Sequence, residues 1–537
     1  MAYGAAFSAG TRSSVMKQDK GSTARWRRGW RADAAVVGAV VFSASAASAA
    51  MQPTDPSQAG IETGRYLAAA AHCSACHTSR ADRPFAGNVA IPSKFGTMYS
   101  SNITPDRATG IGDWSEAEFT SALRQGRGRH GEYLYPSMPY TDFTKISDAD
   151  AHALWLYFRS VAPIAEKQKP NAMKFPFNVR PGIAAWQAVY FRPGRFVPDA
   201  TQSQAWNRGA YLVQGLGHCG ACHTPKNFAM ADKKDQALQG AATGDFWFAP
   251  DIGGGRFSGI NDWSVDQVVA YLRTGHNDKN VAAVGPMLQT IAKGTSELSA
   301  GDLQAIALYL KNQTTTEPVH DASPRTLSAD RRTAGEAIYV SNCATCHGES
   351  GRGVDGIAPA LAGNSAVTSA GPENAMHAVL SGFAPSGRWG AMPSFAETLD
   401  TQQIADVSNY IRVAWGGQAP ANATTSAVNR MRHRVEIGDP RIQAALVCPN
   451  VPTTAIDAET RTRVDALAKK PDGADVPAAQ LVRDYRKRHP DVERGEVVNV
   501  LSGAYCRSLM SSGTGSNVDR QGRVIRFSAG VAAVVAR

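Results

Sequence analysis

Three segments of the chain share one alternation of polar and apolar positions. SDADAHALWLYFRSV (Ser147 to Val161), SAGDLQAIALYLKN (Ser299 to Asn312) and TQQIADVSNYIRVAW (Thr401 to Trp415) each open on Ser or Thr, carry acids or amides in the first turn, and then space large apolar residues three and four apart. That pattern predicts an N-capped amphipathic helix in each place. Upstream of each segment the chain opens in a related way, with Gly64-Arg65-Tyr66-Leu67, with Gly209-Ala210-Tyr211-Leu212, and with Gly335 and Tyr339. GIGDWS at Gly110 is matched by GINDWS at Gly259. One unit, with a leading helix, Gly- and Pro-rich loops and a closing helix, has been copied three times.

Between the copies the composition changes. Pro-rich stretches from Lys167 to Pro198 and from Thr314 to Arg325 read as linkers. After an Ala/Thr-rich stretch, Gln418 to Asn429, the repeat stops; a helix is expected over AAQLVRDYRKRH (Ala478 to His489), followed by a Gly/Ser-rich turn region. The expected fold is mainly α: three tandem modules at residues 50–166, 199–314 and 326–417, and a small C-terminal appendage of unknown role at 430–537.

Charge narrows the function. Residues 1–49 carry seven Lys/Arg against two acids, and residues 430–537 carry 18 against 12, so the body between them is near neutral although the chain totals +10. A nucleic-acid partner would want a basic patch on the folded body and is set aside. Residues 1–49 follow signal-peptide order, with Arg25, Arg27, Arg28 and Arg31, an apolar run from Ala34 to Phe42, and small residues ending Ala47-Ser48-Ala49. That apolar run is too short to span a membrane.

Six of the eight cysteines lie in three copies of Cys-x-x-Cys-His: HCSACHTSR from His72, HCGACHTPK from His218 and NCATCHGES from Asn342. This spacing suits two thioether links to one haem, with the adjacent histidine as an iron ligand. The cofactor-binding candidates are therefore Cys73, Cys76, Cys219, Cys222, Cys343 and Cys346, with His77, His223 and His347 on the metal, and the expected cofactors are three covalently bound c-type haems. A structural zinc would want a fourth ligand at each site. A thioredoxin-like pair would lack the histidine and need a βαβ setting.

A c-type haem takes a sixth ligand, and methionine raises its potential. Met138 in LYPSMPY, Met287 in AVGPMLQ and Met392 in WGAMPSF each touch a proline and precede a closing helix. Met98, Met230, Met376, His130 and His276 are rivals. His72 and His218 read as surface or propionate contacts rather than ligands. No Gly-rich nucleotide loop or catalytic constellation is evident, so no catalytic residue is assigned.

Residues 60 to 417 resemble the three-haem cytochrome c subunit of membrane-bound dehydrogenases of the alcohol, aldehyde, gluconate and sorbitol type. The resemblance is carried by GRYLAAAAHCSACHT, SNITPDRATGIGDWS and LYPSMPYTDF, by GAYLVQGLGHCGACHTPKN and INDWSVDQVVAYLRTG, and by NCATCHGESGRGVDGIAPALAGN and GAMPSF. It implies a periplasmic relay, peripherally attached to the outer face of the inner membrane. Such a relay takes electrons from a catalytic subunit holding PQQ, a flavin or a molybdenum cofactor and passes them to ubiquinone or a terminal oxidase. It also implies that the three modules are tandem class I cytochrome c-like domains, with the haem-linking cysteine pairs, the three proximal histidines and the three distal methionines named above. A free-standing multihaem enzyme such as a peroxidase, or a standalone carrier between respiratory complexes, are the other readings. The tail departs from the family: Cys448 and Cys506 are expected to pair, and Arg486-Lys487-Arg488 is either a solvated helix face or a contact for anionic lipid or an acidic partner.

Overall fold

The expected closing helices form at Asp148–Ser160, Ala300–Lys311 and Thr401–Val413. Ser147 and Ser299 cap the first two, accepting from the Asp150 and Asp302 amides. In the third the cap falls one residue earlier than the pattern predicts: the Asp400 carboxylate accepts from the Gln403 N–H, and the Gln403 side chain accepts from the Asp400 N–H. Asp caps as well as Ser and precedes Thr401, so Thr401 becomes the first helical residue.

This computed structural model describes residues 56–243, 246–255, 257–313, 326–383, 388–390, 392, 394–417, 419–436, 456–470, 478–492, 494–512 and 517–536. The signal-like segment, the stretch Thr314 to Arg325 and Cys448 lie outside the described residues. The architecture is mainly α. Among the described residues, strands form only a small antiparallel sheet (Ala90–Ser93, Gly96–Tyr99, Ala172–Met173) and a two-residue pair (Ala241–Ala242 with Phe248–Ala249).

A leading helix lies against each closing helix: Pro56–Ala70 on the first, Gln204–Tyr211 on the second and Ala329–Asn342 on the third. The repeated glycine marks the crossing. A Cβ on Gly64 would stand 1.9 Å from the Ala153 carbonyl oxygen, one on Gly209 2.0 Å from that of Ala305, and one on Gly335 2.6 Å from that of Asp406. Only a residue without a side chain lets the two backbones approach this closely. The tryptophan motifs have a similarly local purpose. Ser115 and Ser264, which end GIGDWS and GINDWS, cap the helices Glu116–Gln125 and Val265–Thr274 through reciprocal bonds with Glu118 and Gln267.

Buried apolar side chains fall into three clusters. One runs without a break through the first two modules, joining Leu67, Ile146, Leu154 and Phe158 to Leu212, Leu216, Leu303 and Leu310. The third module has its own, with Tyr339, Met376, Leu380, Ile404 and Val407, to which the helix Thr425–Glu436 adds Val428 and Met431. The tail builds a third around Val464, Leu481, Tyr485, Leu501 and Phe527, and Ile357 and Ala358 of the third module join it.

Two expectations are corrected by packing. The tail after Val492 is helical where it is described, in Arg494–Ser512 and Asn517–Ala536, so the expected turn region is confined to residues 513–516, which lie outside the described residues. Val497, Val498, Leu501, Val524 and Val531 are fully buried and the Tyr505 and Phe527 rings stack at 4.2 Å, so burial of an apolar face overrides weak local propensity. The first Pro-rich stretch also contains structure. Ala172–Met173 extends the small sheet, and the helix Pro181–Tyr190 starts on a proline, which suits the first turn.

Candidate functional site

Each Cys-x-x-Cys-His forms a short helical turn directly after its leading helix or the π-helical segment Leu212–Leu216 that extends it: Cys73–His77, Gly220–His223 and Ala344–His347. The turn brings both cysteines and the histidine of one copy onto one short piece of chain. The three histidines are held alike. His77 Nδ1 lies 2.7 Å from the Ser101 carbonyl oxygen, His223 Nδ1 2.7 Å from that of Pro250, and His347 Nδ1 2.9 Å from that of Pro359. A backbone carbonyl can only accept, so each ring carries its proton on Nδ1 and keeps Nε2 as the free electron pair. This is the arrangement by which an outer hydrogen bond fixes the orientation of a metal-bound imidazole. Burial lowers the proton affinity of all three rings, which keeps them neutral and able to ligate. The tethering carbonyls lie 24, 27 and 12 residues away in sequence. Being backbone atoms, they have no residue-type signal by which the sequence could have revealed them.

The cysteines suit thioether formation better than thiolate binding. Burial pushes the Cys73, Cys219 and Cys343 thiols up to about 12 and raises Cys76 and Cys346 as well. A metal held by sulfur needs the thiolate, whereas a thioether leaves no charge on the sulfur. Donor set and tautomer therefore fit c-type haem.

The methionines are dispersed among different elements. Met138 and Met287 are half-buried at the edge of the shared core, Met287 on the helix Gly285–Ala292. Met392 is half-buried and exchanges both backbone hydrogen bonds with Phe383, at 2.9 Å each. Among the rivals, Met98 accepts a hydrogen bond on sulfur from Ser137 at 3.2 Å, Met376 is fully buried in the third core, and His130 is exposed. Met230 is 37% exposed, and His276 is half-buried near Trp389.

His72 is not a surface residue, contrary to the sequence reading. It is 7% exposed, and its ring meets that of His218 edge to face at 5.6 Å. Both residues adopt left-handed backbone geometry, φ 53° and 34°, directly before Cys73 and Cys219. Burial, with the neighbouring His218, lowers His72 to about 3.

The tail reaches the third site. Its helix Asn517–Ala536 lies against the turn Ala344–His347, and Cys346 and Val354 pack on the tail core. Cys506 is disulfide-bonded and buried. Of the basic run, Arg488 is engaged within the tail, 3.2 Å from Glu459 and 2.7 Å from the Thr460 hydroxyl, while Arg486 and Lys487 are exposed. No helix among the described residues is long and apolar enough to cross a membrane.

Comparison with known proteins agrees with this chemistry. The family described as cytochrome C oxidase, cbb3-type, subunit III matches residues 330–411. The chain is 37% identical over 415 residues to the alcohol dehydrogenase (quinone) cytochrome c subunit of Komagataeibacter europaeus, covering 73% of this chain and 88% of that protein. It is 36% identical over 406 residues to the gluconate 2-dehydrogenase cytochrome c subunit of Pantoea cypripedii, covering 72% and 92%. It is 40% identical over 372 residues to a nicotinate dehydrogenase subunit of Pseudomonas putida, covering 68% of this chain but only 31% of that longer protein.

Proposed function

Since the chain belongs to the family of dehydrogenase cytochrome c subunits, we propose that it carries three c-type haems and relays electrons from a periplasmic dehydrogenase subunit to ubiquinone or a terminal oxidase. The observation that carries this reading is the threefold repetition of one histidine arrangement, with Nδ1 tied to a backbone carbonyl and Nε2 left free.

Bound haem supplies a reversible one-electron iron couple. Each cysteine pair (Cys73 and Cys76, Cys219 and Cys222, Cys343 and Cys346) anchors one ring. His77, His223 and His347, with Met138, Met287 and Met392, would hold the irons. With a histidine and a methionine on each iron, no position would be left for substrate, so substrate oxidation would belong to the partner, whose cofactor would be PQQ, a flavin or molybdenum. The relay is attached peripherally to the outer face of the inner membrane, and the division into modules at 50–166, 199–314 and 326–417 assigns one haem to each.

The test is an anaerobic visible spectrum of the gently purified complex as ethanol, an aldehyde, gluconate and sorbitol are added in turn. Haem reduction by one of them, with three haems per chain by mass, is the expected result. A chain that copurifies with no dehydrogenase, and one haem of which binds cyanide rapidly, would overturn the relay in favour of a free-standing haem enzyme.

A further inference from the structure

The first two modules dock by exchanging the same contact in both directions. Tyr66, on the first leading helix, donates to the Asp302 carboxylate at 2.6 Å and accepts from the Ser299 N–H at 3.1 Å, at the start of the second closing helix. Tyr211, in the second leading helix, donates to Asp150 and accepts from the Ser147 N–H at 3.1 Å, at the start of the first closing helix. Each tyrosine thus reinforces the N-terminus of the other module's helix, and residue for residue the interface is of the isologous kind that a two-fold axis produces between separate chains. Here the two copies share one chain.

Such an interface must bring some residue close to its own counterpart, and the pair that meets is His72 and His218. Their rings stand 5.6 Å apart, Phe143 lies against His218 at 5.5 Å, and the Ala71 carbonyl is 3.4 Å from His218 Nε2. Gly294 of the second module passes so close to His72 that a Cβ there would come within 2.1 Å of the ring. Each of these histidines is bonded directly to the first cysteine of its pentapeptide. The segments that would anchor the first and second haems are therefore in contact through a tightly packed pair, of which His72 is buried and His218 half-buried. The third module has Asn342 at this position, and two residues after its crossing glycine, where the first two modules have Tyr66 and Tyr211, it has Ala337.

We propose that His72 and His218, held by the reciprocal Tyr66–Asp302 and Tyr211–Asp150 bonds, are positioning residues that set the first and second haems as direct electron-exchange partners. The inference rests on the relay reading. It deepens that reading by making the first two modules a coupled pair, with the third haem joined to them by a separate contact. Electron transfer falls steeply with separation, so a device that fixes spacing between two anchoring turns acts on the exchange rate itself.

The experiment is rapid photoreduction of the oxidised full-length holoprotein, following the α bands for a redistribution phase whose rate is independent of protein concentration. Replacing both rings (His72→Ala with His218→Ala) is expected to slow that phase severalfold. Three haems should stay attached by mass, and dithionite reduction should stay complete. His72→Phe with His218→Phe keeps ring against ring and is expected to retain the exchange, which a purely structural loss would not distinguish from the alanine pair. An unchanged rate in the alanine pair overturns the proposal. If that pair does not retain its haems, Tyr66→Phe with Tyr211→Phe decides: slower exchange supports the positioning role, and an unchanged rate overturns it. Failure of the relay reading would look different, as no reduction of any haem in the native complex by any dehydrogenase substrate.

Discussion

The first two modules and the third begin from one repeat and end in different surroundings. In the first two, the second cysteine of each pentapeptide, Cys76 and Cys222, is exposed and His77 and His223 are half-buried. In the third, Cys346 is half-buried against the tail core and His347 is 8% exposed. What the copies share is local: a glycine at the helix crossing, a capped closing helix and a histidine tied to a carbonyl. What separates them comes from outside the pentapeptides. Tyr66 and Tyr211 weld two copies around a common core, while the third keeps its own core and borrows a cover from a domain that is not part of the repeat.

The sharpest way to break this likeness is at the crossings. Gly64→Ala and Gly209→Ala must push apart two helices whose backbones leave 1.9 and 2.0 Å, so each is expected to destabilise by about 3 kcal/mol or more. Gly335→Ala, with 2.6 Å available, should cost about 1–2 kcal/mol. Denaturant unfolding of the full chain, read alongside haem content, gives the order directly. Equal effects at all three positions would show that the crossings are not the limiting contact.

Much of the shared part was legible because it is periodic. The closing helices follow from capping residues and apolar spacing, and the attachment turns from five adjacent residues. The parts that were missed depend on tertiary placement. Nothing in the residue types Ser101, Pro250 and Pro359 marks their carbonyls as histidine acceptors. Tyr66 and Tyr211 are visible as repeat markers, but a repeat does not say that each serves the other copy. The tail's two last helices escape the sequence because Gly and Ser are scattered through Arg494–Ser512 and Asn517–Ala536, and only the burial of their valines and aromatics makes them helical.

A second test separates the third module from its cover. Ending the chain after Glu436 removes the tail but leaves Val428 and Met431 in the third core. Loss of cover on Ile357 and Ala358 should lower the third module's stability by about 1–3 kcal/mol. It should also speed amide exchange around Ala344–His347 without changing the first two modules. Protection there that is the same with and without the tail would remove the tail from the account of this site.

An effect of similar size is expected where the second and third modules meet. The Asn374 side chain accepts from the Phe248 N–H at 2.9 Å and donates to the Phe248 carbonyl at 2.8 Å, with the Trp247 and His377 rings stacked at 4.1 Å beside it. Asn374→Ala removes two hydrogen bonds to the backbone of a buried residue, a loss of about 1–3 kcal/mol. Differential proteolysis should then find the third module loosened, while exchange between the first two haems keeps its rate.

A last test sets the same pair against the third module through acid. Burial holds His72 neutral, with a folded value of about 3 against an ordinary 6.5. Below that ordinary value the unfolded chain takes up a proton that the native site refuses, so the stabilisation is present above about pH 6.5 and is lost progressively as pH falls toward 3. At pH 5 the loss is about 2 kcal/mol by linkage. Burial lowers His218 too, and in the same direction, while Asp142 nearby is raised by its own burial and works against them. His72→Phe isolates the histidine contribution, since it keeps the ring contact and removes the proton. Hydrogen exchange at pH 7 and pH 5 should therefore show the first two modules loosening in the wild-type chain and much less in the variant. The third module, with Asn342 in that place, should be indifferent to the substitution. A wild-type chain whose first two modules hold equal protection at both pH values would mean that the ring pair is not kept dry in solution.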